Sequence, residues 1–104
     1  MTRLIQNKTM NLSEYKRHLQ SAMTNGINLK STVINSKGEV VRENEFAPIV
    51  LVNTVSFAML RNGKQSFAEF GKASEWQFAD DKAIRNFKDG GKIEFTFDAP
   101  DLFN

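Results

Sequence analysis

The sequence contains no cysteine, which excludes disulfides, thiolate metal sites and cysteine nucleophiles and fits a reducing, cytoplasmic setting. It has one histidine, His18, so neither a His–His metal pair nor a catalytic triad with a spare base can be built. Only two prolines occur, and no stretch has the composition of a linker, a repeat or a low-complexity segment. Long apolar runs are absent as well. None approaches the roughly 18 residues of a membrane span, and the opening Met-Thr-Arg-Leu-Ile-Gln-Asn-Lys-Thr-Met lacks the apolar core of a signal peptide. A soluble, unsecreted protein with no membrane partner is expected. Charge of one sign is also scarce: the net +2 and pI near 9.0 permit an anionic polymer as partner without demanding one.

What is present suffices for one core. A chain of 104 residues is one domain's worth of material, since domains cluster at roughly 100–150 residues. Nine Phe, Trp76 and Tyr15 supply bulky core candidates. Residues 1–104 read as a single domain, with 1–10 an arm or first edge strand and 99–104, including Leu102 and Phe103, a tail.

The helix signal is local and specific. Asn11 stands as N-cap with Glu14 three residues on, which makes a capping-box pair, and Met10 is placed to pack on Tyr15 as a hydrophobic staple. Leu12, Tyr15, Leu19, Ala22 and Met23 recur at helical spacing on one face, and Gly26 stands where a left-handed C-cap is wanted. These features predict a helix over about 12–25. From Ile27 to Ile34 the period becomes two, which predicts a strand with Ile27, Leu29 and Val33 on one side. Turn residues at 35–38 lead to a return strand at 39–43. Pro48 cannot donate to a ladder and belongs at an edge or strand start. Ile49-Val-Leu-Val52 is apolar on both faces and is expected at the sheet's centre.

Asn53 to Phe70 is the stretch around which the chain is organised. Asn62-Gly63 between alternating apolar residues predicts a two-residue type I′ turn, because both central positions need positive φ. That turn pairs Arg61 with Lys64, Ala58 with Phe67, Phe57 with Ala68 and Val55 with Phe70. One face then collects Val55, Phe57, Met59, Ala68 and Phe70 as core. The other collects Ser56, Ala58, Leu60, Gln65, Phe67 and Glu69, which is only partly apolar. Beyond it, 75–78 alternates, 79–82 is a polar break, 83–87 fits a short helix or a strand, and 88–91 is a turn. Residues 92–98 form a half-buried strand with Ile93, Phe95 and Phe97 inward. The fold class expected is α+β: an N-terminal helix on a bent, mainly antiparallel sheet of five to seven strands, in a geometry that can close toward a small barrel.

Chemistry-bearing motifs are few. His18 lies at the border of the helix stripe and reads as a boundary residue. Asp80-Asp81 is accounted for by a turn, and Asp89, Asp98 and Asp101 are not at metal-ligand spacing. Gly90-Gly91 is not followed by a Lys-Ser or Lys-Thr opening a helix, so it is not a phosphate loop. No cofactor, metal or catalytic residue is expected. Two binding readings remain. Leu60 and Phe67 on the outer hairpin face suit a protein partner or a homodimer seam. Phe67 and Trp76 with Arg61, Lys64, Lys72, Arg85 and Lys88 have the mixture of aromatic and basic groups that single-stranded nucleic acid requires. Leu60, Arg61, Lys64, Phe67 and Trp76 are therefore the candidate interaction surface.

The run Val-Asn-Thr-Val-Ser-Phe-Ala at 52–58, with Ser66-Phe-Ala-Glu-Phe-Gly-Lys-Ala-Ser-Glu-Trp76 after it, resembles a segment of small domains carried by phages and mobile elements. In those, a strand ending Ser-Val-Ala-Phe leads into a hairpin and then Lys-Ala-Ser-Glu. The resemblance covers about a quarter of the chain and carries no catalytic motif. It implies a stoichiometric binder acting on a protein such as a host-defence component, ahead of nucleic acid.

Overall fold

The computed structural model describes residues 10–79 and 82–98. The expected arm apart from Met10, the Asp80-Asp81 turn and the tail at 99–104 lie outside them. Helix α1 spans Leu12–Thr24. Its start is the capping box read from the sequence: the Glu14 amide donates to Asn11 Oδ1 at 2.8 Å and the Asn11 amide to Glu14 Oε1 at 3.1 Å. Gly26 takes a φ of 72°, which lets the chain reverse while the Ile27 amide bonds back to the Ala22 carbonyl at 2.8 Å. The buried stripe is Leu12, Tyr15, Leu19 and Ala22, with Met10 and Met23 packed beside it.

Among the described residues eight strands follow: β1 (Leu29–Ile34), β2 (Val40–Glu43), β3 (Ile49–Val52), β4 (Ser56–Arg61), β5 (Lys64–Glu69), β6 (Trp76–Phe78), β7 (Ala83–Asn86) and β8 (Lys92–Phe97). They form a five-stranded sheet in the order β2-β1-β8-β7-β6 and a three-stranded sheet in the order β3-β4-β5. Every pairing is antiparallel. The class is α+β as expected, with one strand more than the sequence suggested and 83–86 settled as a strand. β1 begins two residues later than its period-two pattern.

The two sheets are joined on one side and parted on the other. Leu29 and Ala47 exchange amide bonds of 2.8 and 2.9 Å, carrying the ladder from β1 toward β3. At the opposite side β5 and β6 share no ladder, so among the described residues the sheets do not close into a barrel. Side chains cross there instead: Trp76 Nε1 donates to the Phe70 carbonyl at 2.7 Å, and Arg85 Nη1 donates to the Glu69 carbonyl.

Between the sheets lies an aromatic core. Tyr15 reaches from α1 to Trp76, Phe78 and Phe97 at ring separations of 5.5, 5.5 and 5.9 Å. Phe57 meets Phe70 and Phe95 at 5.3 and 5.2 Å. Such pairs add to the burial term that dominates folding.

Two expectations are corrected. Val55 is not core but 66% exposed, because Asn53 Oδ1 accepts from the amides of both Val55 and Ser56 at 2.9 and 2.8 Å. That turn holds Val55 in a bend before β4 begins. β3 is an edge of its sheet rather than the centre. Its register with β4 shifts between Ile49 and Leu51, and Val50 is exposed while Ile49 is buried.

Candidate interaction surface

The β4-β5 hairpin places the site. Asn62 at φ 51° and Gly63 at φ 75° make the expected two-residue turn, and the register is the one read from the sequence: Arg61 opposite Lys64, Ala58 opposite Phe67, Phe57 opposite Ala68. Phe57, Met59 and Phe70 enter the core. On the other face Phe67 is 59% and Leu60 40% exposed. Ala58 is fully buried yet lies outside the core cluster, with Leu51 of β3 and Phe67 of β5 as its cross-strand neighbours. Leu51, Ala58 and Phe67 thus form an apolar row across the outer face of the three-stranded sheet.

The structure divides the five candidate residues. Leu60, Phe67 and Lys64 are exposed. Arg61 is turned back across the molecule: its Nη2 donates to Ser31 Oγ at 2.9 Å, where Asn44 Nδ2 also donates at 2.9 Å. Burial, with Arg42 nearby, lowers its pKa from the ordinary guanidinium value. Trp76 is a correction. It is buried, 7% exposed, with Phe78 stacked at 6.0 Å and its indole N–H held by the Phe70 carbonyl. The alternation Glu75-Trp-Gln-Phe78 did not say which face looks inward; pairing with β7 settles it, because Trp76 and Phe78 oppose Arg85 and Ala83 on the core side.

The remaining basic candidates differ in the same way. Arg85 is engaged with Glu75 at 3.2 Å and with the Glu69 carbonyl, and lies over the Phe87 ring at 5.2 Å. Lys72 and Lys88 are exposed. Glu75 Oε1 also accepts from the Lys72 amide at 2.9 Å, and this bond, with Arg85 beside it, holds its pKa below the ordinary carboxylate value. Gly71 makes room for the pair: a Cβ there would sit 2.4 Å from both Arg85 Nη2 and Glu75 Oε1.

Two concavities adjoin the hairpin. Leu60 and Arg61 share a cleft of about 410 Å³ with Asn44, Phe46 and Pro48. Along β5 a slot of about 270 Å³ opens between the sheets, lined by Phe67, Ala68, Glu69, Arg85, Phe87, Ile93 and Phe95. Phe46 and Phe87, each 40% exposed, were not singled out in the sequence. Each is a lone aromatic beside a polar loop, a pattern that a frayed core residue shares. No cluster of three or more metal-ligating side chains occurs among the described residues. Likewise no helix among them is long and apolar enough to cross a membrane. Comparison of the chain with protein-family models, with curated proteins and with solved structures finds no match.

Proposed function

We propose that this chain is a non-catalytic binding protein that acts stoichiometrically on a protein partner through the outer face of the β3-β4-β5 sheet. One observation carries the reading: Phe67 and Leu60 stand 59% and 40% exposed on a face that turns away from the core. Large apolar side chains of this kind anchor protein interfaces when a partner excludes water around them. The resemblance over residues 52–76 points the same way, toward an accessory protein of a phage or mobile element.

The nucleic-acid reading is weaker on this geometry. It needs aromatic rings for stacking with free cations beside them, yet Trp76 is in the core, Arg61 is bonded to Ser31 and Arg85 to Glu75. Phe67 and Lys64 alone remain together on the hairpin.

The test uses the full chain immobilised and exposed to extract from the cells that encode or host it. Wild-type protein is expected to retain one protein in near-equal amount, and Phe67→Asp or Leu60→Asp to lose it while keeping the wild-type circular dichroism. Retention unchanged in both variants overturns the reading. So does salt-sensitive binding of a labelled single-stranded oligonucleotide that Lys64→Glu abolishes.

A further inference from the structure

The sequence holds two Asn-Gly pairs, Asn25-Gly26 at the end of α1 and Asn62-Gly63 at the tip of the β4-β5 hairpin. All four residues are exposed. The pair is chemically distinctive because glycine has no Cβ to crowd its backbone nitrogen, which can therefore reach the carboxamide carbon of the preceding asparagine. Attack there needs a free carboxamide and a free peptide N–H. At Asn25 both are held: Nδ2 donates to the Ser21 carbonyl at 2.8 Å and to Ser21 Oγ at 3.3 Å, and the Gly26 amide donates to the Met23 carbonyl at 3.4 Å.

The hairpin tip is built differently. A two-residue turn closes through bonds between its flanking residues, here Arg61 and Lys64, and uses neither N–H of the two residues between them. The turn itself thus leaves the Gly63 amide to solvent, and the Asn62 carboxamide bonds to none of the described residues. Asn62 also stands at a φ of 51°, the one non-glycine in the left-handed region among the described residues. One strand pair closes this tip, whereas the end of α1 is tied by the amides of Asn25, Gly26 and Ile27 together. The tip therefore opens at the smaller cost.

We infer that Asn62 is a site of spontaneous covalent modification, converting to aspartate and isoaspartate, while the end of α1 protects Asn25. The Gly63 nitrogen gives its proton to solvent and bonds to Asn62 Cγ; the Cγ–Nδ2 bond breaks, Nδ2 takes up a proton and ammonia leaves. Water then opens the cyclic imide at either carbonyl. Opening at Cγ restores the ordinary chain with a carboxylate side chain, and opening at the main-chain carbonyl leaves the peptide running through Cβ. The net change is water in and ammonia out, with no oxidant, reductant or cofactor. Isoaspartate lengthens the main chain between Arg61 and Lys64 by one carbon, which a two-residue turn does not absorb. Either product sets a carboxylate between those two cations. The inference stands apart from the protein-binding reading above.

The experiment holds the full-length chain in warm, mildly alkaline buffer and follows peptides cut after glutamate by mass spectrometry, with enzymatic methylation to mark isoaspartate. The mass gain of an amide-to-acid exchange is expected at Asn62 about tenfold or more faster than at Asn25, where the bonds to Ser21 and Met23 must break first. In urea concentrated enough to unfold the chain the two rates should converge. Asn62→Gly, which a two-residue turn accepts, should hold its intact mass over the period in which the wild-type chain gains. Equal rates at the two sites of the folded chain, or no exchange at Asn62, overturn the inference. So does a gap between the sites that persists in urea, since flanking sequence rather than the fold would then set it. An Asn62→Gly chain that gains mass as fast as wild type places the reaction elsewhere and overturns it too.

Discussion

Trp76 Nε1 donates to the Phe70 carbonyl at 2.7 Å, with the two rings 6.4 Å apart, so one side chain both fills the core and ties the end of the hairpin to the start of β6. Trp76→Phe removes the donor, strands a buried carbonyl and leaves a void. A loss of about 2–4 kcal/mol is expected in urea unfolding, with little change in slope. A loss under about 0.5 kcal/mol would show that the tie contributes nothing net.

Tyr15 behaves differently. It is fully buried, its hydroxyl has no hydrogen-bond partner among the described residues, and burial pushes its pKa far above the ordinary tyrosine value. An unsatisfied buried hydroxyl costs free energy. Tyr15→Phe should therefore raise stability by up to about 1 kcal/mol, read as a higher urea midpoint. A clear loss of stability would reveal a partner for the hydroxyl.

Glu75 sets a pH dependence. The Lys72 amide and then Arg85 favour its carboxylate, so its folded pKa lies below the unfolded one. As pH falls the unfolded chain takes up this proton first. The contribution of Glu75 is thus complete above the ordinary carboxylate value and is lost as pH drops through the depressed folded value. Glu75→Gln should flatten the acid limb of the stability profile and leave the slope near neutrality unaltered. An unchanged acid limb would assign that limb to other carboxylates.

Much of this architecture is written in short-range signals. The Asn11–Glu14 box, the Leu12-Tyr15-Leu19-Ala22 stripe and the Asn62-Gly63 turn each depend on residues a few positions apart, and each gives the observed element. Facing is another matter, because it depends on partners distant in sequence. Arg61 reads as a free cation until Ser31 is brought to 2.9 Å from it, and Trp76 reads as a surface ring until β7 pairs alongside. Val55 fails for a nearer reason: the Asn53 side chain takes its amide and that of Ser56, so Val55 lies in the turn and the inward alternation of β4 starts at Phe57. Of the candidate surface, Leu60, Lys64 and Phe67 were legible because a hairpin register fixes both faces at once. The end position of β5 among the described strands was not, since sequence gives the pairing of neighbours but not the order of the sheet.

One ladder joins distant parts of the chain. β1–β2, β3-β4-β5 and β6-β7-β8 are each built from neighbours, whereas β1 pairs with β8 from Leu29–Phe97 to Ile34–Lys92. Loop-closure entropy is concentrated at that seam. In stopped-flow experiments Ile93→Val should slow refolding in proportion to its loss of stability, while Ile49→Val in β3 should mainly speed unfolding; equal partition at both sites would place the rate-limiting step elsewhere. Until the seam forms, the facing flanks of β1 and β8 are bare, so the rate at which two remote strands meet sets the interval during which the nascent protein is open to aggregation.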